Sequence, residues 1–165
     1  MKELTTPIKR SKQLAPLSRE HHESLLFAWK IRQGIKYGTS NESLVEYCNW
    51  FWENHLKDHF KKEEEAFSQI LSVDHPMMKK MIDDHEAIEI KLKQLSEFPG
   101  NEGFERLAQI IIYHVRFEER ELFNYIEQIA GNEKLNSISR SLVTEKSKDP
   151  KWNHWFWIKP KQSTT

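Results

Sequence analysis

The sequence predicts an all-α protein, an up-down-up-down four-helix bundle with an extra C-terminal helix and an aromatic tail. Three observations favour this fold. Apolar residues recur at intervals of three and four over long segments, as they do on the buried face of a helix. All six prolines fall where such helices should start or stop, and only five glycines occur. The loops between the predicted helices are short, which favours antiparallel neighbours.

Three parts of the chain are predicted. Residues 1–17 have no sustained apolar period and should form an irregular arm on the bundle, which itself should span residues 18–131. Residues 132–165 should add a helix and an aromatic strap packed on the bundle. The helix is indicated by a weak apolar period over residues 133–146. Residues 152–158 are too aromatic for a free end, and a partner-binding surface is the alternative there.

The first helix is expected to begin at Ser18, a good N-cap residue, and to end at Gly38. Its predicted inward face consists of His22, Leu25, Leu26, Trp29 and Gln33. His22 is preferred to His21 as the buried histidine because it shares this face with bulky apolar side chains.

The second helix should run from a cap formed by Thr39, Ser40 and Asn41 to about Leu71. Four of its residues stand one above another on a single face: His55, His59, Glu63 and Phe67. Two imidazoles and a carboxylate therefore lie on a stripe that should be buried. Buried polar groups of this kind are tolerated mainly when they are paired or coordinate a metal.

The third and fourth helices each place a histidine on an otherwise apolar face. The third should begin at Pro76 and end at Pro99, with His85 among leucines, isoleucines and methionines. The fourth should begin near Glu102 or Gly103 and end at Gly131. Its inward face is Phe104, Leu107, Ile111, His114, Glu118, Leu122 and Tyr125. His114 and Glu118 repeat the spacing of four that is seen in the second helix.

Helix geometry brings these histidines to one level of the bundle. With a rise of about 1.5 Å per residue, their distances from the connecting turns agree to within about a turn. The predicted metal ligands are His22, His59, Glu63, His85, His114 and Glu118. Imidazoles suit borderline metals and carboxylates can bridge two ions, so the set matches a pair of non-haem iron ions. Zinc is usually satisfied by four ligands, and magnesium or calcium prefers oxygen alone.

Four sequence motifs carry a resemblance to a known family. They are Ser18-Arg19-Glu20-His21-His22-Glu23, His59-Phe60-Lys61-Lys62-Glu63-Glu64, Asp84-His85-Glu86 and His114-Val115-Arg116-Phe117-Glu118-Glu119. Over about residues 16–130 the chain resembles the hemerythrin and HHE cation-binding family of non-haem iron proteins. The resemblance implies four terminal histidine ligands, and bridging by Glu63 and a carboxylate of the fourth helix. That carboxylate is Glu119 by the pattern of hemerythrins proper and Glu118 by that of HHE relatives; the facing geometry favours Glu118.

One position departs from hemerythrins proper, which have a second histidine on the third helix, four residues before the first. Met81 stands at that position here. Either one iron keeps an exchangeable water, or another residue supplies the ligand. The candidates are His55, His21 and Glu89.

The resemblance implies binding of a small diatomic ligand or oxidant, such as O2 or NO, for sensing, storage or detoxification. A di-iron oxidase or peroxidase, or a factor that donates iron for iron-sulfur repair, is the alternative, so the sequence leaves enzyme activity open. A metal-free helical interaction module is the third possibility. No protein partner is predicted.

Composition and charge narrow the other classes of function. The chain has 25 acidic and 25 basic residues, so neither nucleic acid nor an anionic membrane is an expected partner. No apolar run is as long as a membrane span, and the N-terminus lacks the hydrophobic block of a secretion signal. Cys48 is the single cysteine, which fits a reducing compartment. We therefore expect a cytoplasmic protein.

Overall fold

Five helices account for most of residues 9–142 and 151–161, the part of the chain that the computed structural model describes, and this part contains no β-strand. Two of the helices, α2 and α4, are each interrupted by one π-helical turn. The bounds are α1 Ala15–Lys36; α2 Asn41–Phe51, π-turn Trp52–Leu56 and Lys57–Phe67; α3 Pro76–Glu97; α4 Asn101–Phe117, π-turn Glu118–Leu122 and Phe123–Ile129; and α5 Asn132–Ser141. The predicted all-α fold is confirmed.

Local sequence explains where the helices begin and end. The Ser40 hydroxyl accepts a hydrogen bond of 3.1 Å from the backbone N–H of Ser43 and so caps α2. Gly38 ends α1 with a φ of 70°, a conformation that favours glycine. The expected start at Ser18 is wrong, because α1 begins three residues earlier, at Ala15, with a proline in its first turn.

The first four helices pack as a bundle. α1 and α3 both pack on α4, and the second part of α2 packs on α1 and α3. α5 packs against that same part of α2. Among the described residues, no helix has both the length and the apolar character needed to cross a membrane.

The interior of the bundle contains two apolar clusters. One is centred on residues such as Phe27, Leu44 and Phe104 and is contacted by the C-terminal strap. The other is centred on residues such as Phe67, Met81 and Leu122 and includes α5 side chains. On α1, α3 and α4 a buried histidine separates residues of one cluster from residues of the other. The polar site therefore lies between two hydrophobic ends.

The aromatic tail contacts α1 and α2 through residues 152–157. Phe156 is buried, and its ring centroid lies 5.0 Å from that of Tyr47. A Cβ added at Gly34 of α1 would lie 2.9 Å from the Phe156 ring, so glycine permits this close approach. The Lys30 ammonium lies 4.0 Å from the Trp157 ring. Residues 1–8 of the predicted arm and residues 143–150, in which the predicted fifth helix was to end, lie outside the described residues.

Candidate metal centre

α1 delivers His21 to the interior, not His22. His21 is 2% exposed, whereas His22 is exposed to solvent. The buried face of α1 is Leu17, His21, Ser24, Phe27, Ala28, Ile31 and Gly34. The predicted inward face was wrong because successive residues of a helix point about 100° apart, so an error of one position selects a different face. His21 therefore replaces His22 in the proposed ligand set.

α2 delivers His59 and Glu63, which are both buried as predicted. The π-turn before them changes the register, so that Phe51 and Leu56, five residues apart, both point inward. His55 is consequently displaced from the predicted stripe and stacks on the Phe51 ring at 5.0 Å.

α3 and α4 deliver His85, His114 and Glu118, all buried as predicted. Glu118 begins the π-turn of α4 and is 0% exposed. Glu119, the alternative bridging residue, points away from the centre towards His21 Nδ1 and Arg10. The polar layer thus consists of six residues: His21, His59, Glu63, His85, His114 and Glu118.

One half of the layer, here called the α1–α2 half, is formed by His21, His59 and Glu63. His21 Nε2 lies 3.3 Å from Glu63 Oε2, and His59 Nε2 lies 3.0 Å from Glu63 Oε1. The two imidazole centroids are 4.9 Å apart. Three ligand atoms therefore converge on a space that a single cation could fill.

The other half, here called the α3–α4 half, is formed by Glu63, His85, His114 and Glu118. His85 Nε2 lies 3.2 Å from Glu63 Oε1 and 3.6 Å from Glu118 Oε1, and His114 Nε2 contacts the same Glu118 oxygen. Because Glu63 belongs to both halves, it is placed to bridge two ions. The second Glu118 oxygen lies 3.8 Å from His21 Nε2, so Glu118 also faces both halves.

The Nε2 and carboxylate oxygen atoms that face the centre lie at ion-pair distance from one another but form no hydrogen bond of normal geometry within the protein. They are the Nε2 atoms of His21, His59, His85 and His114 and both carboxylate oxygens of Glu63 and Glu118. Buried polar atoms without a well-formed hydrogen bond are unfavourable, since an unsatisfied group costs about 1–3 kcal/mol. Divalent cations coordinated by these nitrogens and oxygens would remove that penalty. The donor set of the layer therefore fits a pair of metal ions.

Carboxylates hold the outward nitrogens of the histidines. His21 Nδ1 donates to Glu119 Oε1 at 2.7 Å, and His114 Nδ1 donates to Asp84 Oδ2 at 3.0 Å. The Nδ1 atoms of the other two histidines lie 3.6 Å from Glu20 and Glu64. A carboxylate on Nδ1 fixes the ring and directs Nε2 at a metal. Each half therefore has one firmly held and one loosely held imidazole.

The electrostatics of the layer favour positive charge. Burial alone would lower the pKa of His21, but Glu119 and Glu63 raise it to about 10. Burial would likewise lower the pKa of His59, but Glu63 and Glu20 raise it to about 9. Burial would raise the pKa of Glu63, yet the neighbouring His59 holds it well below its usual range. Without metal, protons supply the charge that the carboxylates require.

None of the suggested substitutes occupies the place of the missing histidine. Met81 is fully buried in the apolar cluster that contains Phe67 and Leu122. Glu89 pairs with Lys93 at 3.3 Å, and His55 lies among aromatic rings. His21 is in the layer, but as the histidine of α1. The layer therefore offers two imidazoles to each half.

Arg10 was not predicted from the sequence, and His21 and Glu119 were predicted only as alternatives to His22 and Glu118. Only His21 had a local signal: a face through Leu17, Ser24, Ala28 and Ile31 is as regular as the predicted one and contains smaller side chains. Arg10 and Glu119 are 109 residues apart, and no periodicity links them.

A family model described as hemerythrin HHE cation binding domain matches residues 12–126. This range contains all six residues of the polar layer and well over half of the chain. No curated protein and no solved structure gives a match to the chain.

Proposed function

Because the chain belongs to the hemerythrin HHE cation-binding family, we propose that its polar layer binds two non-haem iron ions and that these bind a small diatomic ligand or oxidant, such as O2 or NO. Sensing, storage or detoxification of that ligand would be the physiological role. The proposal includes a cytoplasmic location, which the single cysteine, a buried free thiol at Cys48, supports.

The observation that carries the proposal is the set of buried nitrogen and oxygen atoms that converge on one space without forming hydrogen bonds of normal geometry. All of them lie at one level of the bundle and point at one another. A metal-free polar network is expected to pair these atoms by hydrogen bonds of normal geometry. The interaction-module alternative gives no reason for this arrangement.

The mixture of ligands supports iron over other cations. Four imidazoles exclude a site of the type that magnesium and calcium prefer, which is built from oxygen. Two shared carboxylates suit a pair of ions better than a single tetrahedral zinc. When bound, the irons would supply open coordination positions and reducing electrons for the diatomic ligand.

The dimensions of the site support a very small ligand. A cavity of about 20 Å³ lies beside His59 and is lined by Glu20, Glu23, Ser24, His55 and His59. Such a space holds about one molecule the size of water. Rings cover the histidines elsewhere: Phe60 stacks on His85 at 3.9 Å, and Phe123 stacks on His21 at 5.1 Å. Each ring covers one face of an imidazole, and a larger surface pocket of about 510 Å³ also includes His85 in its lining, so the small cavity describes the His59 side of the centre.

An iron-donating role, or oxidase or peroxidase turnover, is the second candidate, and the methionine at position 81 favours it. Because an apolar side chain replaces a histidine, the protein offers fewer ligands to the pair of ions than hemerythrins proper do. Fewer protein ligands leave iron easier to release and leave more positions open to oxidants.

Optical spectroscopy of the iron-loaded protein tests the proposal. Anaerobically reduced protein loaded with Fe(II) is mixed with O2 or with NO, and the visible spectrum is followed. A new absorption band that is stable while the gas is present, and that disappears when the gas is removed, supports reversible binding. If the band instead bleaches immediately and leaves oxidised product, the protein turns over as an oxidase or peroxidase. If a chelator takes up the iron at the same rate as the band bleaches, the protein is an iron donor. A spectrum unaffected by either gas contradicts the proposal.

A further inference from the structure

Arg10, in the segment that precedes α1, reaches α4 beside the metal centre. Its side chain is 7% exposed. The guanidinium donates to Glu119 Oε2 at 2.9 Å and to the Glu119 carbonyl at 2.5 Å. It also donates to Glu127 Oε1 at 2.6 Å and to Asn124 Oδ1 at 3.1 Å. A buried cation with four acceptors on one helix is firmly fixed.

Glu119 connects Arg10 to the polar layer. One Glu119 oxygen accepts from Arg10, and the other accepts from His21 Nδ1 at 2.7 Å. The Phe123 ring contacts both His21 and Arg10. The His21 ring stacks on it with 5.1 Å between the centroids, and the Arg10 guanidinium carbon lies 5.3 Å from its centroid. His21 is thus held through its ring face and through Nδ1, and its Nε2 points towards Glu63.

The α3–α4 half has a separate support. His114 Nδ1 donates to Asp84, which pairs with Lys80 at 3.1 Å one turn away on the same helix. This arrangement involves neither Arg10 nor the segment before α1. The two halves of the centre are therefore oriented by independent sets of residues.

We propose that Arg10 is a positioning residue for the ion of the α1–α2 half, acting through Glu119 on His21. The inference rests on the proposed function, since it presupposes two bound ions. Without the guanidinium, the Glu119 carboxylate loses the contact that fixes its orientation, and His21 loses the hydrogen bond that aims Nε2. Loss of such a partner typically weakens metal binding about 10- to 100-fold. The segment before α1 thereby becomes part of one metal position only.

The test compares variants of the full-length protein that break the connection at different points. Arg10→Gln removes the cation, and Glu119→Gln keeps the size of the side chain but removes its charge. Glu127→Gln is the matched control, because it removes another Arg10 partner and leaves Glu119 in place. Asp84→Asn makes the corresponding change in the α3–α4 half. Far-UV circular dichroism of each variant verifies that the helices form.

Fe(II) alone is titrated anaerobically into each protein against a competing chelator, and the number and affinity of bound ions are measured. We expect two ions in the unaltered chain and in Glu127→Gln. In Arg10→Gln and Glu119→Gln, one ion should keep its affinity and the other should bind about 10- to 100-fold more weakly. Combining Arg10→Gln with Asp84→Asn should weaken both ions.

Unchanged affinities in Arg10→Gln or in Glu119→Gln, or equal weakening of both ions, would overturn the inference while leaving two-ion binding intact. If Arg10→Gln does not fold, Arg10→Lys takes its place, because it keeps the charge but removes the planar group that contacts Glu119 at two points, and one ion should again bind more weakly. An unaltered chain that binds no Fe(II) would overturn the proposed function and the inference together.

Discussion

The histidines of the two halves of the polar layer are held in position by different numbers of chain segments. The α3–α4 half takes its two histidines from neighbouring helices that are joined by residues 98–100, and it has Glu63 and Glu118 within reach. The α1–α2 half has Glu63 as the one carboxylate in its ligand group, and it depends on α4 and the segment before α1 to hold His21. Two halves of a site can therefore have similar ligands although the residues that hold those ligands in position differ. We expect the α3–α4 half to bind its ion more tightly.

The largest effect is expected where the halves meet. Glu63→Ala removes the one carboxylate common to both groups of ligands, so both ions should be lost from the isolated protein. Elemental analysis of purified protein measures the loss as iron per chain. Glu65→Ala removes a neighbouring exposed carboxylate on the same helix and should retain both ions. A Glu63 variant that keeps two ions would show that Glu63 is not shared.

Single-histidine variants separate the halves. His21→Ala and His114→Ala should each reduce the iron content from about two ions per chain to about one, because each removes one of two imidazoles from one half. His22→Ala is the matched control, since His22 is adjacent to His21 but exposed, and it should change nothing. Iron loss in His22→Ala with none in His21→Ala would reverse the assignment on α1.

Raising the pH should lower the thermal stability of the metal-free protein. The folded-state pKa values of His21 and His59 are raised to about 10 and about 9 from an ordinary value of about 6.5. Their protons therefore add stability that is complete below about pH 6.5 and is lost as the pH rises through 9 to 10. Thermal unfolding of metal-free protein should occur at a lower temperature at about pH 10 than at about pH 7.

The control for this measurement is His21→Gln, whose unfolding temperature should depend less on pH over the same range. An unfolding temperature that rises with pH in the unaltered metal-free protein would contradict the assigned contacts. Since metal ions must displace the same protons, Fe(II) binding should also release protons near neutral pH.

The smallest effect on the centre is expected from the aromatic tail. Phe156→Ala removes a buried ring that packs on Tyr47, in the apolar cluster contacted by the strap. It should lower the free energy of unfolding by about 3 kcal/mol, near the lower end for loss of a buried phenylalanine. The iron content of the folded protein should stay at two ions. Chemical denaturation and elemental analysis check the two expectations, and loss of iron from the folded variant would link the strap to the site.

The buried face of a helix can be predicted from the sequence only where one apolar pattern is clearly more regular than the others. The faces of α3 and α4 around His85 and His114 were predicted correctly because each is the one histidine among apolar residues at helical spacing. Beyond the π-turn of α4 the prediction was wrong, since Ile126 is buried there and Tyr125 is not.

α1 contains two adjacent histidines and two plausible apolar faces, so the spacing does not discriminate between them. The choice is made by packing: the face with Ser24 and Ala28 fits closely in the core, whereas Trp29 is left 47% exposed.

Two further features of the structure cannot be predicted from the regular spacing of residues along a helix. The π-turn in α2 inserts an extra residue into the repeat, which places Leu56 inward and His55 to the side. The link between Arg10 and Glu119 joins residues that are 109 positions apart, and it forms only when the segment before α1 lies on α4. Both are consequences of tertiary packing, which a pattern of local spacings does not contain.

Anomalous diffraction at the iron edge from crystals loaded with Fe(II) tests the central claim most directly. Two peaks are predicted inside the bundle, one between His21 and His59 and the other between His85 and His114, both in contact with Glu63. The absence of any peak in the bundle, or peaks only at carboxylates on the surface, would contradict the claim.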